Sequence, residues 1–351
     1  MTMAAEPVRH EPAPQSVASR RLVDKVFKAR ELAVALVLVV MLGVTQLSNT
    51  EFLSEQGIKD LMLNATILVL VAVGQAVVVI TRNVDLSVGS VLGISAFGAG
   101  VHLQGGGSPL VAVLIAVGLG ILFGVLNGAL VSLGKVPALV VTLGTLYIVR
   151  GIDSIWVGSR QITADALPDG FVAFGHDGIW VLPYLALLAV VVLVAVAYYL
   201  RSYHSGRDLY ALGSSPEAAR LAGIPVRARI MTAYVLCGAL AGLAGALYLA
   251  RFGNVDSATG NGYELTVVSA VVVGGVAFTG GSGTVYGAAL GALLLTSINS
   301  VLPAIGVSSV WVTAINGFLL LLAIAADRIL ALRVAAGLRK KAAQMRSARH
   351  A

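Results

Sequence analysis

Ten apolar stretches follow one another between Leu32 and Ala326, separated by short polar segments, and this pattern constrains the fold most strongly. A helix that crosses a bilayer needs about 20 mostly apolar residues. In lipid the backbone has to satisfy its own hydrogen bonds, which favours helices. The sequence therefore predicts an all-α integral membrane protein with about ten transmembrane helices, near residues 32–47, 61–80, 86–103, 109–133, 137–158, 181–200, 230–250, 264–279, 284–302 and 307–326.

Composition agrees with a membrane protein. Hydrophobic residues make up 58% of the 351 residues and charged residues only 12%, whereas about a quarter of an average soluble chain is charged. The 40 glycines are compatible with transmembrane helices, in which glycine is common. Because the region 264–302 is interrupted by glycines, we expect either two short spans or one broken, re-entrant element.

Lys and Arg indicate the orientation, because segments on the cytoplasmic side carry an excess of both. With a cytoplasmic N-terminus, all but four of the 24 basic residues fall inside; the four are Lys59, Arg150, Arg160 and Arg251. We therefore expect a plasma-membrane protein with a cytoplasmic N-terminal tail (1–31), a transmembrane domain (32–327) and a basic cytoplasmic C-terminal tail (328–351). Two outer segments, about 159–180 and 252–264, are either plain connections or a docking face for an external partner.

A polar break at 201–229 interrupts the apolar pattern and is predicted to be cytoplasmic. Ser214 or Ser215 can cap a short helix whose first turn begins with Pro216. Gly223 suits the left-handed position that ends a helix, and the proline that follows at 225 prevents its continuation. The sequence thus predicts a compact, capped, basic helix that is presented to a partner.

Glycines recur at intervals of four residues in several spans, as at Gly120, Gly124 and Gly128 and again at Gly238 and Gly242. Small residues at this spacing let two helix backbones approach closely. We expect these faces to pack within one subunit, with pairing between subunits as the alternative.

The sequence contains no recognisable catalytic or nucleotide-binding motif. Gly134-Lys135 lacks the rest of a phosphate-binding loop, and Cys237 is the only cysteine. The sequence predicts neither a catalytic residue nor a metal site, no cofactor bound by this chain, and no nucleic-acid partner.

Polar residues inside the spans are candidates for a solute pathway. Asp85 lies in the most polar intramembrane stretch, and an ionisable residue at such a depth is often functional. An alternative is that Asp85 only caps the next helix and pairs with Arg82. The pathway candidates are Gln75, Asp85, Ser87, Asn127, Thr145 and Asn299.

Several short motifs occur in the same order as in the permease subunits of ribose-type carbohydrate ATP-binding-cassette importers, and the chain resembles this family. The resemblance covers about residues 58–328. It rests on Asp85-Leu86-Ser87-Val88-Gly89-Ser90, Gly124-Val125-Leu126-Asn127-Gly128, Gly206-Arg207-Asp208-Leu209-Tyr210-Ala211-Leu212-Gly213 and Ala218-Ala219-Arg220-Leu221-Ala222-Gly223. Arg82 and Asn83 depart from that pattern, in which glycines usually precede the aspartate.

The resemblance implies a permease dimer, homo- or heteromeric, with two cytoplasmic ATPase subunits that bind ATP and Mg²⁺ and an extracytoplasmic solute-binding protein. It also implies that the capped helix is the coupling helix that enters a groove on the ATPase. The contact candidates are Asp208, Tyr210, Ser214, Ser215, Glu217, Arg220 and Arg227.

The function implied is ATP-driven import of a sugar, such as ribose or rhamnose, by alternating access. Permeases for autoinducer 2, nucleosides or branched-chain amino acids are alternatives with the same architecture. An ion-coupled secondary transporter is a more distant alternative, for which Asp85, Arg150 and Asp153 would be the ionisable groups available.

Overall fold

The structure, a computed structural model, describes the backbone of residues 15–308, side chains from residue 31, and positions 311, 314–319, 321, 322, 325 and 329. The described part is almost entirely helical. Its helices are α1 (Gln15–Ser48), α2 (Glu55–Ile80), α3 (Val88–Gln104), α4 (Pro109–Ser132), α5 (Ala138–Val157), α6 (Asp169–His176), α7 (Tyr184–Ser202), α8 (His204–Ser214), α9 (Pro216–Leu221), α10 (Val226–Phe252), α11 (Tyr263–Val273) and α12 (Val285–Ala304).

Seven of the described helices are long and apolar enough to cross a membrane, namely α2, α4, α5, α7, α10, α12 and the part of α1 from Glu31 to Ser48. The all-α membrane fold is thereby confirmed. The shorter apolar helices α3 and α11 occupy two further predicted spans. The tenth predicted span, at 307–326, is described only in part. The predicted N-terminal tail is described from residue 15, where α1 begins, and the predicted C-terminal tail lies almost wholly outside the described residues.

The glycine-interrupted region 264–302 forms two helices separated by a non-helical loop at 274–284. The 11 residues of α11 extend about 16 Å, roughly half the thickness of a bilayer core. A methyl group at Gly287 would overlap the carbonyl oxygen of Gly274, so the backbones of α11 and α12 are in contact. The region is therefore a tight pair of unequal helices.

The centre of the bundle is α2. In its most apolar window 94% of the residues are buried, against 28% in α4 and α5. It packs against α10, α12 and α7. Between Ala65 and Ile80, α2 is buried on every side and apolar except for Thr66 and Gln75, as expected of a helix in a protein interior.

The glycine faces of α4 and α10 pack against each other within this chain. A methyl group at Gly120 would overlap the carbonyl oxygen of Gly238, and one at Gly242 would overlap that of Ala116. At Gly124 the added carbon would lie 2.5 Å from the Tyr234 carbonyl oxygen. The predicted close approach of backbones thus occurs inside the subunit.

The ends of the bundle carry elements that the sequence did not predict. At one end, called here the α9 end, the break at 201–229 holds two helices, because α8 precedes the predicted capped helix. At the opposite end, the segment 159–183 contains α6 and a hairpin of strands β1 (Gly178–Ile179) and β2 (Leu182–Pro183). There the segment 253–262 folds inward, since Thr259 is buried and a side chain at Gly93 would overlap its carbonyl oxygen.

Candidate functional site

The capped helix α9 has both of its predicted end signals. The Ser215 side chain accepts a hydrogen bond from the Ala218 amide, so Ser215, and not Ser214, is the N-cap. At the other end Gly223 has φ +80°, and the amides of Gly223 and Ile224 donate to the carbonyl groups of Arg220 and Ala219. These two bonds form a Schellman motif, which ends the helix within two turns.

α9 presents a protruding surface at its end of the bundle. Leu221 is 90% exposed, and Glu217, Arg220 and Arg227 are exposed beside it. A cavity of about 800 Å³ adjoins this surface, and Lys135, Arg220 and Arg227 contribute to its wall. The surface thus combines one exposed apolar side chain with exposed charges of both signs. These residues are free to meet a partner.

The other predicted contact residues hold α8 and α9 in place. Asp208 forms an ion pair with Arg229 at 2.9 Å, which joins α8 to the first turn of α10. The Tyr210 hydroxyl donates to the Gly283 carbonyl at 3.1 Å, and burial raises the pKa of Tyr210 to about 12. The phenol therefore stays protonated and donates at neutral pH. The Ser214 hydroxyl donates to the Tyr210 carbonyl within α8.

α8 is pressed against the end of α2. Leu209 and Leu212 are buried, and a methyl group at Gly213 would overlap the Ile80 carbonyl oxygen. The Gly281 amide donates to that same oxygen at 2.8 Å. The end of α2, the end of α8 and the loop 274–284 thus meet at one point, directly before α9.

Arg82, which follows α2, connects the end of α8 to the loop 274–284. Its Nε donates to the Thr279 carbonyl at 2.7 Å and its Nη2 to the Ser214 carbonyl at 3.0 Å. Ser214 directly precedes the N-cap of α9. Arg82 has φ +65°, a left-handed conformation that disfavours a side chain. The glycine-like backbone that the resemblance led us to expect here is therefore present, although its residue is an arginine.

Five of the six predicted pathway residues form one hydrogen-bonded group, called here the polar cluster: Gln75, Asp85, Ser87, Asn127 and Thr145. Each is at most 3% exposed. The group lies one to two helical turns inside the α9 end, because Asn127 is near the end of α4 and Thr145 near the start of α5.

Within the polar cluster nearly every polar group has a partner. Asp85 Oδ1 accepts from the Ser87 amide at 2.9 Å and from its hydroxyl at 2.6 Å. Asn127 donates to the Ser87 hydroxyl at 2.9 Å and accepts from Thr145 at 2.6 Å. The Gln75 amide, oriented to satisfy both partners, pairs with the backbone of Asp85. The expected pairing of Asp85 with Arg82 does not form: the arginine donates to the carbonyls of Thr279 and Ser214 instead.

Asn299, the sixth pathway candidate, lies elsewhere. It contributes, with Asn64, Ser269 and Asn316, to a separate cavity of about 520 Å³ between α2, α11 and α12. Asn316 donates to Asn299 at 3.3 Å. The structure therefore assigns the six candidates to two places, and whether any of them contacts the solute stays a prediction.

Tyr234 was missed by the sequence analysis. It is fully buried in α10, and its hydroxyl donates to the Val84 carbonyl at 3.1 Å, which holds the segment 81–87 beside the polar cluster. α10 contains two tyrosines, and nothing in the sequence distinguishes the buried Tyr234 from the partly buried Tyr248. Among the described residues, no group of three or more His, Cys, Asp and Glu side chains could hold a metal ion.

A family described as the permease component of branched-chain amino acid transport systems matches residues 57–324. The chain belongs to this permease family. The match covers almost the same range as the predicted resemblance, which is thereby confirmed. The permease is a multi-pass protein of the inner membrane, as predicted.

Relatives of the permease carry a more specific name. It is 37% identical over 294 residues to an autoinducer 2 import system permease protein LsrC from Enterobacter sp. (strain 638), covering 84% of this chain and 85% of the relative. The LsrC protein of Escherichia coli O9:H4 (strain HS) is 35% identical over 298 residues, or 85% and 86% of the two chains. That of Salmonella typhi is 37% identical over 292 residues, or 83% and 84%. No solved structure matches the permease.

Proposed function

We propose that the permease is the membrane-spanning subunit of an ATP-driven importer for a sugar or sugar-like solute, which it passes inward by alternating access. Monosaccharides such as ribose and rhamnose, and autoinducer 2, are the proposed solutes. The similarity to LsrC proteins over more than four fifths of the chain favours this class over nucleosides and branched-chain amino acids. We propose that the subunit itself catalyses no reaction.

The capped helix α9 carries the proposal. It is short, capped at both ends, exposed, and braced against α2 and the loop 274–284 through α8 and Arg82. A helix held in this way can transmit a push from a partner to the spans behind it. We infer that α9 docks on a cytoplasmic ATPase subunit, with Glu217, Arg220 and Arg227 at the contact and Leu221 as the apolar anchor. The basic wall of the adjoining cavity favours an acidic partner surface.

The complete importer would contain a second permease subunit, identical or homologous, two ATPase subunits that bind ATP and Mg²⁺, and an extracytoplasmic solute-binding protein. The distribution of Lys and Arg supports a cytoplasmic α9 end and cytoplasmic tails at 1–31 and 328–351. The polar cluster would then lie in the inner half of the membrane. Because its groups are hydrogen-bonded to one another, the polar cluster would hold α2, α4 and α5 together rigidly while other spans rearrange.

The coupling contact is tested by charge reversal on α9. We expect Glu217→Lys and Arg220→Glu to insert normally, because both side chains are exposed. In proteoliposomes with the ATPase subunits and the loaded solute-binding protein, both variants should lose the stimulation of ATP hydrolysis by solute and most of the uptake. Glu51→Gln, an exposed change at the opposite end and outside both candidate docking segments, is the control and should behave as wild type.

Normal solute-stimulated ATP hydrolysis in both charge-reversal variants would contradict this assignment. A second measurement separates the importer from a secondary transporter. The purified permease alone should retain no nucleotide in a filter-binding assay and should accumulate no solute in proteoliposomes under an ion gradient. Accumulation by the permease alone would overturn the proposal.

A further inference from the structure

Unpaired buried charge marks a second polar site in the permease, away from the polar cluster. Asp153 in α5 is 0% exposed, yet both of its carboxylate oxygens lack a hydrogen-bond partner among the described residues. A buried polar atom without a partner costs about 1–3 kcal/mol, and more when it is charged. The polar cluster, by contrast, satisfies its own groups.

Arg150 lies one turn before Asp153 on the same face of α5. Its Nη1 donates to the carbonyl groups of Thr259, at 2.7 Å, and Ser257, at 3.5 Å. Its Nε is buried without a partner. The guanidinium is therefore fixed to the inward-folded segment 253–262, while part of its donor capacity remains unused.

Glu264, at the start of α11, completes the group. Its Oε2 is buried without a partner, and it lies 2.5 Å from where a side-chain carbon at Gly89 would stand. One turn further along α3, a side-chain carbon at Gly93 would stand 3.5 Å from Arg150 Nη1. The same face of α3 thus lies against both charged groups. Arg150, Asp153 and Glu264 are called here the charged site.

We propose that the charged site binds the transported solute and that this solute is a neutral, polyhydroxylated small molecule. This inference rests on the proposed function. Hydroxyl groups would donate to the free oxygens of Asp153 and Glu264, and a ring or carbonyl oxygen would accept from Arg150. The binding energy would then offset the cost of keeping these groups unpaired in the membrane.

The position of the charged site, beside an uncovered face of α5, is compatible with a solute pathway. Arg150 is half-buried, and α5 leaves a broad face uncovered beside it, where Tyr147 is 72% exposed and Gly151 has no neighbouring atom within 4 Å. A solute that moves along this face would reach Arg150 first and the buried carboxylate of Asp153 next. An exposed aromatic ring one turn away offers a flat apolar surface for a sugar ring.

The experiment measures uptake by the complete importer in proteoliposomes, with tritiated ribose, rhamnose, autoinducer 2 and leucine as separate probes. Asp153→Asn and Glu264→Gln remove the charge and keep the shape. We expect each to lower the initial uptake rate of the transported probe about tenfold, while the melting temperature stays equal or rises. A merely structural residue would lower both. Ser297→Ala removes another buried, unpartnered polar atom, in α12, and should transport as wild type.

Wild-type uptake rates in both Asp153→Asn and Glu264→Gln would overturn the assignment while leaving the importer intact. A melting temperature that falls in proportion to the lost uptake would also overturn it, because the residues would then be structural. Uptake of leucine instead of the other three probes would reject the polyhydroxylated class. Wild-type proteoliposomes that accumulate none of the probes would contradict the proposed function itself, and this site with it.

Discussion

Arg82 should transmit movement between α9 and the loop 274–284, and its removal should separate ATP hydrolysis from transport. Arg82→Gln removes two hydrogen bonds from a charged donor to backbone carbonyl groups. Because the side chain is exposed and water competes for its donors, each bond contributes about 1 kcal/mol, the typical net value for a hydrogen bond in a protein and below the range for buried charged donors. The loss in the free energy of unfolding should therefore be about 2 kcal/mol.

Arg82→Gly removes the same two bonds but also relieves the left-handed backbone at φ +65°. A side chain in that conformation costs about 1 kcal/mol or more. Arg82→Gly should therefore be about 1 kcal/mol more stable than Arg82→Gln. Both variants should be equally uncoupled, because neither can join the carbonyl groups of Ser214 and Thr279.

The assay is the number of ATP molecules hydrolysed per solute imported by the reconstituted importer, measured beside thermal unfolding. We expect this ratio to rise severalfold in both Arg82 variants. Arg207→Gln is the matched control, since Arg207 also donates to two backbone carbonyl groups, those of Arg201 and Ser202, but within the single turn that joins α7 and α8. A ratio that follows stability across the three variants, or a normal ratio in Arg82→Gly, would refute the coupling argument.

Two further predictions concern the spans. Gly124→Val should lower the melting temperature and the yield of folded permease, because the new side chain would meet the Tyr234 carbonyl oxygen, and overpacking costs about 1–3 kcal/mol; Gly118→Val on the same helix has open space and should be neutral in the same thermal assay. Asp85→Asn keeps an oxygen that can accept from Ser87, so we expect a modest loss of stability and an unchanged solute preference in competition uptake. A changed preference would place Asp85 in contact with the solute.

Local signals in the sequence were sufficient for α9. Ser215, Pro216, Gly223 and Pro225 lie within eleven residues, and the bonds that end the helix join neighbours three to five positions apart. The same holds for the close approach of α4 and α10, where glycine spacing specifies a smooth helix face. α8 was missed because the residues 204–214 are polar and carry no capping signal, and only their burial against α2 selects the helix.

Polar pairing across the bundle could be predicted in part. Asp85 and Ser87 are two positions apart, but their contact with Asn127 joins residues some forty positions apart. Asn299 is just as polar and yet belongs to another cavity. Glu264 was not among the predicted site residues, and Asp153 was considered only for the ion-coupled alternative, because nothing in their neighbourhood in the sequence distinguishes a paired carboxylate from an unpaired one.

The sequence by itself determined the membrane environment, the helical class, the capped helix and the first nine spans to within about six residues. Each of these depends on hydropathy or on hydrogen bonds between near neighbours. The tertiary structure alone decided which polar groups meet, that 253–262 folds inward, and that Arg82 joins α9 to the loop 274–284. Such contacts depend on the depth and rotation of each helix relative to the others. Those are set by packing against the whole bundle, and no short stretch of sequence encodes them.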